Sequence, residues 1–137
     1  MARVELEAQG ERALAWGDAQ RVTQIVANLV TNAIKHAPSG SAVRVMMHVI
    51  GVWGCVTVED EGQGFPPEDV ERMFMPFWRG PVDRTSPDRA GSGMGLTLAA
   101  FLAEAQGGRV SAVNRDRGGA WFCLELPLAE HREGERR

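Results

Sequence analysis

Between Asp18 and Pro38 apolar residues recur with the period of a helix, and this stretch constrains the fold more than any other. Val22, Ile25, Val26, Leu29, Val30, Ala33 and Ile34 fall at i, i+3, i+4, i+7, i+8, i+11 and i+12, the spacing of one buried face. At about 100° per residue, Arg21, Gln24, Asn28, Asn32 and Lys35 gather on the opposite side. For Arg21 and Gln24 a solvated face is a sufficient account. The two asparagines ask for more, because Asn is a poor helix former and caps nothing in mid-helix. Asn28, Asn32 and Lys35, one turn apart, present amide oxygens that suit a hard cation and an ammonium that suits phosphate. The chain holds 15 basic residues, and the one lysine among them is Lys35.

The totals narrow the class. The 137 residues, 44% hydrophobic and 24% charged, fit one globular domain with a core at about 4–127 and a charged tail at 128–137. A net charge of -3 disfavours nucleic acid as a partner. No apolar run reaches the roughly 18 residues that span a bilayer, and the first residues alternate with charge, unlike a signal peptide. Cys55 and Cys123 read as reduced core thiols. Nothing in the three histidines suggests zinc, and the compartment expected is the cytoplasm.

Along the chain, residues 3–8 alternate as a strand and 13–16 form a second short one. Asp18 is placed to cap the long helix, which must stop before Pro38. Strands follow at 42–50 and 52–60, joined tightly at Gly51 as an antiparallel hairpin. A short helix is expected at 68–74 and a polar, mobile loop at 81–90. The glycines from Gly91 open a helix to about residue 106, with Leu96, Ala99, Ala100 and Ala103 on one face. A final hairpin pairs 109–114 with 120–126. Strands, helix, strands, helix, strands predict helices packed on one face of a mixed or antiparallel sheet, an α+β fold.

Three further pieces carry chemistry. Asp60 is in phase with Val56 and Val58, so it points to the buried side, where a carboxylate needs strong hydrogen bonds. It either caps its own turn through the following amides or accepts from a ligand's amine. Gly62 and Gly64 leave the adjacent backbone open to a flat ligand. Gly91-Ser92-Gly93-Met94-Gly95-Leu96 leads into a helix, where exposed amides attract phosphate; a flexible hinge is the alternative. It matches neither the Walker loop nor the dinucleotide fingerprint. Phe74-Met-Pro-Phe77-Trp78-Arg79 anchors the polar loop, and Arg79 is in reach of a terminal phosphate or simply exposed.

Together these stretches resemble a known family. Asn28-x-x-x-Asn32-Ala-x-Lys35-His36, Asp60-x-Gly62-x-Gly64, Phe74-x-x-Phe77 and Gly91-x-Gly93-x-Gly95 are similar to the asparagine, first glycine, phenylalanine and second glycine boxes of the catalytic ATP-binding domain of bacterial sensor histidine kinases. That domain belongs to the superfamily shared with gyrase, heat-shock chaperones and MutL. The resemblance runs from Val4 to Pro127. It implies a two-layer α/β sandwich of the Bergerat type, with a mostly antiparallel mixed sheet under helices and a lid over ATP.

The resemblance also implies roles. Asn32 and Asn28 would hold Mg2+, Lys35 would contact phosphate, and His36 would lie against adenine. Asp60 would take the adenine amine, with Gly62, Gly64 and Phe65 beside it. Gly91, Ser92, Gly93, Met94, Gly95 and Leu96 would wrap the phosphates. Asn28, Lys35 and Arg79 would serve phosphoryl transfer. Trp78, Met94 and Ala120 depart from the residues frequent in the family, and Ala120 removes a hydroxyl near the base.

The implied partners are ATP, a phosphoacceptor histidine domain of the same parent kinase, and a response regulator downstream. The domain alone would be a monomer without membrane contact, whether or not its parent is anchored and dimeric. His36, His48 and His131 lack the setting of a phosphoacceptor, and no such helical hairpin is present in the chain. Two other readings are a serine kinase of the anti-sigma-factor type, which would carry Glu at the position of Asn28, and a nucleotide-binding regulatory module without catalysis.

Overall fold

The computed structural model describes residues 3–8, 15, 17–70, 72–75 and 95–129. Five strands form one sheet: β1 (Arg3–Ala8), β2 (Ala42–Ile50), β3 (Trp53–Glu59), β4 (Arg109–Asn114) and β5 (Ala120–Pro127), in the spatial order β1-β2-β3-β5-β4. β1 runs parallel to β2, and the other three pairings are antiparallel. Two helices, α1 (Ala19–His36) and α2 (Gly95–Ala105), complete the described architecture. This is the mixed, mostly antiparallel sheet under helices expected from the order of elements.

Local chemistry sets the bounds of α1. Asp18 is extended, at φ −86° and ψ 120°, and its carboxylate accepts from the amides of Gln20 and Arg21 at 2.9 and 3.3 Å. That satisfies donors which the first turn leaves without partners. At the other end Ala37 is extended, as a residue before proline prefers, and its amide still donates to the Ala33 carbonyl at 2.9 Å. Ile25, Leu29 and Ala33 are fully buried, with Val22, Val26, Val30 and Ile34 packed beside them. Burying Ile25 and Leu29 contributes about 2 kcal/mol each relative to exposure.

α1 and α2 lie against each other and against one face of the sheet, where Val43, Val58, Phe122 and Leu124 close the core. Gln106 ties the two helices together. Its Oε1 accepts from the Asp18 amide at 2.5 Å, and its Nε2 donates to the Leu102 carbonyl at 3.1 Å. On α2 the buried residues are Ala99, Leu102 and Ala103. Of the expected face, Ala99 and Ala103 are buried, Leu96 packs against the core and Ala100 is half-buried; Leu102 is buried beside them. α2 ends at Gly107, whose φ of +79° is the left-handed conformation that glycine tolerates.

The short helix expected over 68–74 is instead two 3-10 turns, Pro67–Asp69 and Arg72–Phe74. Their closing bonds are Val70 to Pro67 and Met75 to Arg72, both spanning three residues. So short a segment cannot recover the cost of nucleating an α-helix. Of the second strand expected at 13–16, only Ala15 is described, in an antiparallel bridge with Leu128. The polar loop at 81–90 lies outside the described residues, as do Phe77, Trp78 and the charged tail from residue 130. Both cysteines are free. They sit on the sheet face away from the helices, and burial pushes the Cys55 thiol up to about 11. Such thiols stay protonated and inert.

Candidate functional site

Three pieces of the chain meet where β3 ends: the end of α1, the loop 60–65 and the turn between β4 and β5. Asp60 is at their centre. It lies one residue beyond β3, in phase with the buried Val58, and is 3% exposed, the one buried charged side chain among the described residues. Its amide donates to the Ala120 carbonyl at 3.0 Å, continuing the β3–β5 pairing for one more step. Its Oδ1 accepts from the Gly62 amide at 2.8 Å. The turn-capping alternative therefore holds for one oxygen. A carboxylate has roughly four acceptor sites, so this bond does not exhaust it.

Burial, the largest effect, pushes the Asp60 carboxyl above its ordinary value; amide donors at Gly62 and Ala120 and the nearby charges of His36 and Arg115 pull it back. The result is a charge-capable acceptor in a poorly hydrated setting, where one further donor is worth more than it would be in water.

Glycine is required around this carboxylate for reasons of space. A Cβ on Gly62 would fall 2.6 Å from the His36 carbonyl oxygen, so the end of α1 and the loop can touch only through glycine. Gly64 adopts φ +76°, and a Cβ there would fall 2.5 Å from Asn114 Oδ1. Gly119 packs on the Asp60 carbonyl itself, with no room for a side chain. Phe65 is half-buried and meets Phe122 with ring centroids 6.3 Å apart and planes tilted by 52°, which anchors the loop in the core.

The polar stripe on α1 divides in two. Arg21 and Gln24 are exposed, as a solvated face requires, whereas Asn28, Asn32, Lys35 and His36 are half-buried. Asn28 Nδ2 donates to the Gly95 carbonyl at 3.2 Å, linking the stripe to the start of α2. With its amide nitrogen so committed, Asn28 has its oxygen left for another partner. Leu96, next on α2, is half-buried against the core. Arg79, Gly91, Ser92, Gly93 and Met94 lie outside the described residues.

The donor set fits Mg2+. Among the described residues no three His, Cys, Asp or Glu side chains gather as a metal site. Mg2+ is commonly held by one or two protein oxygens together with substrate phosphates. Two amide oxygens one turn apart on α1 are a set of that kind.

Some of the site gave no signal in the sequence. Asn114 and Arg115, at the end of β4, both bond to the loop 60–65. Glu59 points to the open face of the sheet, as expected, but it is a junction there. Arg44, Arg115 and Trp121 all reach its carboxylate, at 3.4, 3.5 and 2.5 Å.

Residues 17–130 match the family described as histidine kinase-, DNA gyrase B-, and HSP90-like ATPase. The sensor protein SphS of Synechococcus elongatus is 40% identical over 124 residues, covering 85% of this chain and 30% of SphS. The sensor histidine kinase WalK of Bacillus subtilis is 32% identical over 121 residues, covering 86% of this chain and 20% of WalK. The chain thus spans less than a third of the length of these relatives. Among solved structures, the catalytic domain of histidine kinase ThkA is similar with a TM-score of 0.77 and 27% identity, over 92% of this chain and 78% of that one. Full-length ShkA in complex with AMPPNP gives a TM-score of 0.79 and 28% identity, over 93% of this chain and 26% of that one. Among the described residues no helix is long and apolar enough to cross a membrane.

Proposed function

The chain belongs to the histidine kinase-, DNA gyrase B-, and HSP90-like ATPase family, and on that premise we propose that it binds Mg-ATP and presents the γ-phosphate to a histidine on a separate phosphoacceptor domain of its parent sensor kinase. The observation that carries this reading is a buried carboxylate, Asp60, whose loop packs on the end of α1 at His36, together with the half-buried Asn28, Asn32 and Lys35 on that same helix. The first suits a nucleobase amine and the second suits metal-bound phosphates. The names of the relatives and the AMPPNP complex of ShkA support the same assignment.

In this reading Asp60 accepts from the exocyclic amine of adenine; Gly62 and Gly64, expected to open the backbone to a flat ligand, instead make room for the His36 carbonyl and the Asn114 side chain and so fix the loop that carries Asp60. Asn32 and Asn28 hold Mg2+ through their amide oxygens, and Lys35 meets phosphate as a point charge. When bound, the metal would supply charge neutralisation at the phosphate oxygens. Asn28 stands where the hydrolytic members of the superfamily place a glutamate, and an amide cannot take a proton from water at neutral pH. Among the described residues, the carboxylates nearest in sequence are badly placed to substitute: Asp18 is committed to capping α1, and Glu59 faces the far side of the sheet. The site holds ATP without activating water, and the nucleophile comes from outside. The acceptor is an imidazole on a helical hairpin, and the phosphate passes on to a response regulator. ATP as substrate places this part of the parent in the cytoplasm.

The test is calorimetry of the 137-residue chain with ATP, with and without Mg2+, beside a phosphate-release assay. Mg-dependent binding with very slow release is expected. Rapid release would make it an ATPase, and no binding would end the assignment.

A further inference from the structure

Asn114 and Arg115 are adjacent in sequence, and between them they hold both ends of the loop that carries Asp60. Asn114 grips the far end. Its Oδ1 accepts from the Phe65 amide at 2.9 Å, and its Nδ2 donates to the Phe65 carbonyl at 2.6 Å. This is the pair of bonds a neighbouring strand would make, supplied by one side chain. Gly64 leaves the space that it occupies. Arg115 grips the near end. Its Nη1 donates to the Asp60 carbonyl oxygen at 2.8 Å, and its Nη2 lies 3.5 Å from Glu59 Oε1.

Arg115 is largely withdrawn from water; its side chain is 15% exposed and that of Glu59 12%. Glu59 is fixed in turn by Trp121 and Arg44. The guanidinium therefore ties the Asp60 backbone to a carboxylate that two other side chains hold in place. Neither Asn114 nor Arg115 has a described bond to the Asp60 carboxylate itself, so neither stands in for a ligand there.

We propose that Asn114 and Arg115 are positioning residues for base selection, setting the place and direction of the Asp60 carboxylate by clamping the loop 60–65 at both ends. The inference rests on the reading of Asp60 as the acceptor for adenine. A hydrogen bond weakens steeply with angle and distance, and a selective site has to be held to within about half an ångström by the residues behind it. Only the alignment of Asp60 should depend on the clamp. Its loss should therefore act on discrimination between bases more than on phosphate contacts.

The test is the ratio of ATP to GTP affinity, measured with Mg2+ by calorimetry on the 137-residue chain. In Arg115→Gln the ratio should fall about tenfold, the equivalent of one good hydrogen bond. Arg115→Lys, which keeps the charge and one donor, should recover part of it. In the Asp60→Asn background Arg115→Gln should change the ratio no further, because the two act through one contact. If Arg115→Gln does not fold, Asn114→Asp loses the donor to the Phe65 carbonyl and should lower the same ratio. Equal loss of ATP and GTP affinity with the ratio kept would overturn the inference, since that is what general loosening of the sheet produces. Additive effects of Asp60→Asn and Arg115→Gln would overturn it as well. A wild-type chain that does not prefer ATP would overturn the reading of Asp60 itself, and the clamp with it.

Discussion

The side-chain amide of Asn28 and the backbone carbonyl of Gly95, 67 residues apart in sequence, are joined by a hydrogen bond of 3.2 Å. The contact fastens the polar stripe of α1 to the first residue of α2. In the proposed site it also turns the Asn28 oxygen away from α2 and leaves it for the metal. Asn28→Ala removes both functions. Affinity for Mg-ATP should fall about tenfold, while stability falls by only about 1 kcal/mol, the worth of one exposed hydrogen bond. Calorimetry and urea unfolding on one preparation separate the two. A large loss of stability with unchanged affinity would make the contact purely structural.

Asp60→Asn should trade selectivity for stability. The carboxamide keeps an oxygen for the Gly62 amide but replaces the acceptor proposed for adenine, so the preference for ATP over GTP should shrink about tenfold or more. Burial holds the Asp60 carboxyl above its ordinary value in the folded state. The folded protein therefore binds that proton more tightly than the unfolded chain does. The corresponding stability is complete below the ordinary carboxylate value and is lost as pH rises through the folded one. At pH 7 Asp60→Asn should accordingly melt above wild type, with the gap closing as the solution is acidified. Melting curves from pH 4 to pH 8 check this, and a gap that widens in acid would reverse the sign.

Asn32→Ala should remove most of the dependence of ATP binding on Mg2+. With only one or two protein oxygens on the ion, loss of one should lower the Mg-dependent gain in affinity about tenfold, while metal-free binding changes little. Titrations with and without chelator decide it. An unchanged magnesium effect would move the metal off α1.

Leu29→Ala tests the packing that carries the stripe. Leu29 is fully buried in the centre of α1, and truncation there should cost about 3 kcal/mol. The urea midpoint should fall with an unchanged slope. A loss below about 1 kcal/mol would mean that α1 is not docked through this face.

The features legible in the sequence are those written in local order. The period of α1 identified Ile25, Leu29 and Ala33, and Asp18 and Pro38 set its limits. Gly51 marked the hairpin, and alternation along β3 put Asp60 on the buried side. The rest depends on partners far apart in the chain. Alternation along 120–126 says that β5 is a strand but not that it inserts between β3 and β4. The stretch 68–74 has helical composition, yet it is too short for composition to settle which helix forms. Asn114 and Arg115 look like ordinary residues before a turn. Their role depends on loops 49 and 55 residues away.

In the proposed function the site holds ATP for transfer to an imidazole brought from outside. The most direct measurement supplies γ-labelled ATP and Mg2+ to the 137-residue chain, alone and mixed with the phosphoacceptor hairpin domain of its parent kinase. The predicted result is no self-labelling and very slow phosphate release by the chain alone. With the hairpin domain present, label should appear on a histidine there, lost in acid and kept in alkali. Rapid phosphate release by the isolated chain, or an acid-stable phosphoserine on the partner, would contradict the account.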